Sequence, residues 1–177
     1  MILYAFDSEV AGRYRAWKRH AAVRDVKRCY FRENTPPENI VKGIIHSAGK
    51  RQSIWLLILV AHGNPGSLSL GGAIDVRALS KFAPLRDYMT PGGPGIEVHG
   101  CGIASDTRLD RHGRGSHLSG RGGVGYNWVS TLARTVGVPV TAGLDDQILD
   151  ELGRLEGTLI TVQPDGSGRF WKAPPRR

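Results

Sequence analysis

A chain of 177 residues, 40% hydrophobic and 23% charged, is long enough to close one core and too apolar for a disordered segment. No apolar run reaches the roughly 18 residues of a membrane span. The two cysteines, Cys29 and Cys101, form no Cys-x-x-Cys pair, which argues against both a disulfide scaffold and a structural zinc site.

The net charge of +8 is unevenly placed, because residues 1–51 hold eleven Lys/Arg against five Asp/Glu. The excess lies mostly between Arg13 and Arg32. It reads as a solvated helix face or as a contact patch for a polyanion. The segment from Met1 to Asp7 has no basic leader and no cleavage pattern, so the expected location is cytoplasmic, with no membrane contact.

In chain order, strand and helix signals alternate. Ile2 to Phe6 is a short apolar strand. Asp7 or Ser8 can cap a following helix whose stripe is Val10, Tyr14, Trp17 and Ala21. Val26 to Phe31 is a second strand. Thr35-Pro36-Pro37-Glu38 predicts a helix start with threonine as the cap, and Ile40, Val41, Ile44, Ile45 and Ala48 as the buried face. Trp55 to Ala61 is the most apolar segment and predicts a central strand buried on both sides.

Beyond Gly63 the pattern changes. Ser67–Leu70 alternates and Gly71-Gly72 follows, which predicts a small hairpin or extended excursion at the sheet edge. Val76 to Met89 predicts a helix despite Pro84. Ile96 to Gly100 is a strand after the Pro91–Gly95 break. Residues 105–123 are a long Gly-, Arg-, Ser- and His-rich loop without apolar periodicity, of the kind that is functional or disordered. Tyr126 to Val136 is a helix with Trp128, Val129, Leu132 and Ala133 inward. Val138 to Ala142 is a fifth strand, and Asp145 to Leu155 a short helix. Leu159–Val162 and Arg169–Trp171 flank the turn Pro164–Gly168 as a hairpin. The expected architecture is α/β: one domain over 1–172 as a three-layer sandwich, mostly parallel sheet with helices on both faces, and a frayed basic tail at 173–177.

Two of these strands end on residues able to do chemistry. The run from Ser53 closes on His62-Gly63, and the strand from Gly95 closes on Gly100-Cys101. If they are neighbours in a parallel sheet, imidazole and thiol emerge together at the carboxyl edge, where open α/β folds place ligands. A thiol beside an imidazole is a nucleophile with its base. The backbone amides of Gly63 and Cys101 are candidate oxyanion donors. Asp7 ends the first strand on the same edge. It caps the next helix, orients His62 or recognises a basic substrate side chain. Asp106 and Asp145, after later strands, are further candidates for the pocket. His99 stands two residues before Cys101 and reads as packing. The spacing of His62, His99, Cys101, His112 and His117 matches no familiar metal site, and no cofactor is expected.

Three segments carry a likeness to known proteins: Leu57-Ile-Leu-Val-Ala-His-Gly-Asn-Pro-Gly-Ser-Leu-Ser-Leu-Gly71, Ile96-Glu-Val-His-Gly-Cys-Gly-Ile-Ala104 and the stretch from Gly125 to Ala142. In their order and strand context the chain resembles the caspase-like (clan CD) cysteine peptidases. It is most similar to a bacterial caspase-like domain found at the N-termini of large secreted repeat proteins. The resemblance implies a caspase-hemoglobinase fold, Cys101 as nucleophile, His62 as its partner and a peptide or protein substrate. Cys101 follows His99-Gly100 rather than the Gln-Ala of the caspase signature, so a preference for aspartate is not implied. Two other readings stay open: a catalytically silent interaction module on the same fold, and a polyanion-binding protein using Arg13 to Arg32.

Overall fold

The computed structural model describes residues 1–11, 20, 22, 23, 25–49, 53–105, 123–145 and 155–173. The chain begins with β1 (Ile2–Asp7), all six residues buried, and α1, described over Ser8–Ala11. It continues with β2 (Val26–Phe31), α2 (Pro37–Ala48) and β3 (Leu56–Val60). Three short strands come next: β4 (His62–Asn64), β5 (Ser67–Ser69) and β6 (Ala73–Ile74). A 3-10 helix spans Ala78–Tyr88. Then come β7 (Gly95–His99), α3 (Val124–Val136), β8 (Val140–Gly143), β9 (Thr158–Val162) and β10 (Gly168–Lys172).

The main sheet has seven strands in the order β10-β9-β8-β7-β3-β1-β2. The run from β2 to β8 is parallel, and β9 and β10 close the sheet as an antiparallel pair of strands. The fold is thus mixed α/β with a mostly parallel sheet. β3 sits between β1 and β7, and all five of its residues are buried. That is the expected consequence of an uninterrupted Leu-Leu-Ile-Leu-Val run, which can satisfy itself only with a packed layer on either side. Trp55, expected inside this strand, lies just before it and is 48% exposed.

The two sheet faces differ. Leu3, Ala5, Leu57, Leu59, Ile96 and Val98 face a large cluster that also holds Ile40 and Ile44 of α2, Phe82 and Leu85 of the 3-10 helix, and Trp128, Val129 and Leu132 of α3. Tyr4, Phe6, Ile58 and Val60 face the other way, into a smaller cluster with Val10 of α1. The alternation follows from the two-residue period of a strand. Each large side chain buried this way contributes about 1.5–3 kcal/mol.

Two local expectations are corrected. Thr35 does not cap α2. Pro36 holds the cap position with Pro37 behind it, and the Thr35 hydroxyl instead donates back to the Arg32 carbonyl at 2.6 Å. Pro37 suits the first helical position, which places the cap at Pro36 and leaves Thr35 one residue outside it. The segment expected as a helix over Val76–Met89 is a 3-10 helix, with Pro84 inside it. Proline has no N–H for the α-helical bond and clashes with the preceding turn, and the tighter pattern accommodates it. The excursion after Gly63 is the small hairpin, extended by β6 into a separate antiparallel sheet in the order β4-β5-β6. The later part of the first helix stripe (Tyr14, Trp17, Ala21), the loop at 106–122, the helix expected from Asp145 beyond that residue, and the tail at 174–177 lie outside the described residues.

Candidate active site

The chain order of the strands defines where the sheet opens. From β1 the chain moves outward to β2, then returns across β1 to β3 and on to β7. The direction reverses between β1 and β3, the position outside whose carboxyl ends open α/β sheets place ligands. Register places the candidate residues on that edge. Phe6 is level with Val60, and Val60 with His99. Asp7 stands one step beyond Phe6, while His62 and Cys101 stand two beyond Val60 and His99.

The pairing of β3 and β7 continues past their ends, because the Ala61 amide donates to the His99 carbonyl at 3.2 Å. The two strand ends then touch through backbone. A methyl group added at Gly63 would lie 2.7 Å from the Cys101 carbonyl oxygen and 2.8 Å from the Cys101 nitrogen. Only a residue without a side chain permits this approach. His62 is exposed and Cys101 half-buried, so both are open to a ligand at this edge. Neither Cys101 nor Cys29 forms a disulfide.

The turn after Cys101 is fixed by its neighbours. Gly102 has φ +56, and its amide donates to the Asp145 carbonyl at 3.0 Å. The Ala104 amide donates to the Gly143 carbonyl, also at 3.0 Å. Gly125 of α3 packs so closely that a Cβ there would meet the Ser105 carbonyl oxygen at 2.3 Å. The cysteine therefore sits at the head of a turn braced by β8 and by the start of α3.

The histidine side is braced through the small sheet. In β4, His62 pairs with Ser69 and Gly63 with Leu68 of β5. The turn between these strands is held by Gly66, whose amide donates to the Ile103 carbonyl at 3.0 Å. Leu68, Leu70 and Ile74 are buried in the larger core cluster. The buried Trp128 indole donates to the Ile74 carbonyl at 2.8 Å. Sequence reading did not single out Ser69, Gly71 or Ile103. Only the Gly71-Gly72 pair carried a signal, read as a turn.

The carboxylates expected near the site have backbone work. Asp7 is 6% exposed. One of its oxygens accepts from the Glu9 amide and the other from the Gly71 amide, both at 2.8 Å. Asp145 accepts the Thr158 amide at 2.7 Å, which secures the start of β9. Asp106 lies outside the described residues. His99 is buried, with its Nε2 3.0 Å from Glu97 Oε2. Among the described residues, no three His, Cys, Asp or Glu side chains gather as a metal site requires.

Of the basic stretch, Lys27, Arg28 and Arg32 lie on or just after β2 at the sheet margin. Arg13, Arg15, Lys18, Arg19 and Arg24 are outside the described residues. No helix among the described residues is long and apolar enough to cross a membrane. No family model matches the chain, and neither a curated protein nor a solved structure matches it.

Proposed function

We propose that the protein is a cysteine peptidase of the caspase-like kind, with a His62–Cys101 dyad acting on a peptide or protein substrate. One observation carries this reading. An imidazole and a thiol follow adjacent parallel strands at the carboxyl edge, beside the reversal of strand order, with the Gly63 backbone against that of Cys101. The fold belonging to this reading is a single three-layer sandwich of the caspase-hemoglobinase kind. The packing of α2 and α3 on one sheet face and of α1 on the other supports it.

The chemistry follows from the two groups. The Cys101 thiolate attacks the scissile carbonyl carbon and forms a tetrahedral oxyanion. Amides at Gly63 and Cys101 are the nearest candidates to donate to it. Collapse breaks the C–N bond, and the His62 imidazolium gives its proton to the leaving amine. Water then adds to the thioester while His62 takes up its proton, releasing the acid and restoring the thiol. No metal or cofactor enters these steps.

The test measures alkylation at Cys101 by iodoacetamide at pH 7 beside turnover of a fluorogenic peptide library varied at P1. His62→Ala should slow alkylation about ten-fold by removing the imidazolium that favours the thiolate. Cys101→Ala should abolish turnover. An alkylation rate unchanged by His62→Ala would overturn the dyad. Normal alkylation without turnover of any library member would favour the silent interaction module.

A further inference from the structure

We infer that Asp7 is a positioning residue for His62, acting through the backbone of Gly71; this rests on the His62–Cys101 reading. The carboxylate is buried at the carboxyl end of β1. A buried charge of this kind persists only where donors satisfy it. The two amides that donate to it belong to different parts of the fold. Glu9 is local, in the first turn of α1. Gly71 is 64 positions away in sequence.

Gly71 is held from both sides. Its amide donates to Asp7 Oδ2 at 2.8 Å, and its carbonyl accepts from the Thr35 amide at 2.9 Å. Its φ is +67, and an added Cβ would lie 3.0 Å from Thr35 Cβ and 3.2 Å from the Arg32 carbonyl oxygen. Glycine is therefore required at this point, both for backbone conformation and for space. Two residues earlier Ser69 pairs with His62 across β4 and β5. The end of β1 and the loop after β2 thus clamp the strand that lies against the histidine.

Hydrogen bonds from backbone amides to a carboxylate are charge-assisted and stronger than neutral ones. Asparagine has the shape of aspartate but only one acceptor. In Asp7→Asn one of the two amides, Glu9 or Gly71, must face a donor. The clamp on β5 or the start of α1 then loosens, while the size of the side chain is kept. Gly71→Ala attacks the same clamp from the other end.

The test is a double-mutant cycle on Cys101 alkylation at pH 7, with Asp7→Asn, His62→Ala and the double variant. Asp7→Asn alone should slow Cys101 several-fold, towards the His62→Ala rate. The double variant should react no more slowly than His62→Ala alone, because the aspartate works only through the histidine. Amide hydrogen exchange at Gly71 should be faster in Asp7→Asn than in the native protein. If Asp7→Asn does not fold, Gly71→Ala takes its place in the same cycle.

An unchanged alkylation rate in Asp7→Asn would overturn the inference while leaving the dyad intact. Additive slowing in the double variant would overturn it too, since that pattern marks a general structural loss. Failure of His62→Ala to slow Cys101 at all would instead remove the dyad, and the positioning role with it.

Discussion

The two cysteines stand in contrasting parts of the same sheet. Cys29 lies within β2, and its Sγ donates to the Tyr4 carbonyl of β1 at 3.5 Å. Burial pushes its thiol up to about 12, against a weaker opposing hydrogen bond with Ser47. Cys101 lies beyond the end of β7, at the head of a turn, with the Gly63 backbone against its own. Composition cannot tell these residues apart. The difference comes from place: the Cys29 thiol is desolvated by its neighbours inside a strand, whereas Cys101 lies past the end of β7, on the edge where open α/β sheets place ligands.

The sharpest way to break this comparison is to label both thiols. Burial disfavours the Cys29 thiolate, so little of it is present at pH 7. Iodoacetamide should therefore modify Cys101 faster than Cys29, as followed by peptide mass spectrometry over time. Equal rates would mean that the two environments are chemically alike.

A second experiment disturbs the Cys101 region alone. Gly63→Ala puts a methyl group against the Cys101 backbone and the Ile103 side chain, at 2.7 Å from the latter. Overpacking of this kind costs about 1–3 kcal/mol, read as a lower urea midpoint. The same variant should slow Cys101 labelling and leave Cys29 labelling unchanged. Alanine tolerated at full stability would show that the two strand ends are not in contact.

The third concerns Cys29 and pH. Its folded value, about 12, is above its ordinary value of 9.0. The unfolded chain therefore loses this proton first as pH rises. The stabilisation is fully present below pH 9 and is lost between pH 9 and about 12, at about 1.4 kcal/mol per pH unit. Cys29→Ala should flatten the fall in unfolding free energy over pH 9–11 relative to the native protein, and Cys101→Ala should not. Parallel pH profiles for native protein and Cys29→Ala would show that burial does not hold the Cys29 thiol above its ordinary value.

Much of the scaffold was legible in the sequence. Short-range patterning was sufficient for β1, β2, β3, β7, β8, the final hairpin, and the buried faces of α2 and α3. The turns at Pro91–Gly95 and Pro164–Gly168 marked themselves through residues that punctuate the chain. Where the reading failed, a local rule met a competing one. Thr35 had the chemistry of a cap, but with Pro37 at the first helical position the cap falls at Pro36. The segment around Pro84 had helical content, but proline disfavours an α-helix interior and the segment is a 3-10 helix.

The sequence by itself indicated that His62 and Cys101 each follow an apolar strand, because a glycine beside each reactive residue and an apolar run before it are local facts. Only the tertiary structure decided that these strands are neighbours, since register comes from how the whole sheet assembles. It alone assigned the Asp7 carboxylate to the amide of Gly71, across 64 positions of chain. Hydrogen bonds between segments so far apart leave no periodicity to read. Desolvation of the Cys29 thiol likewise comes from the surroundings that packing creates, which no local pattern announces.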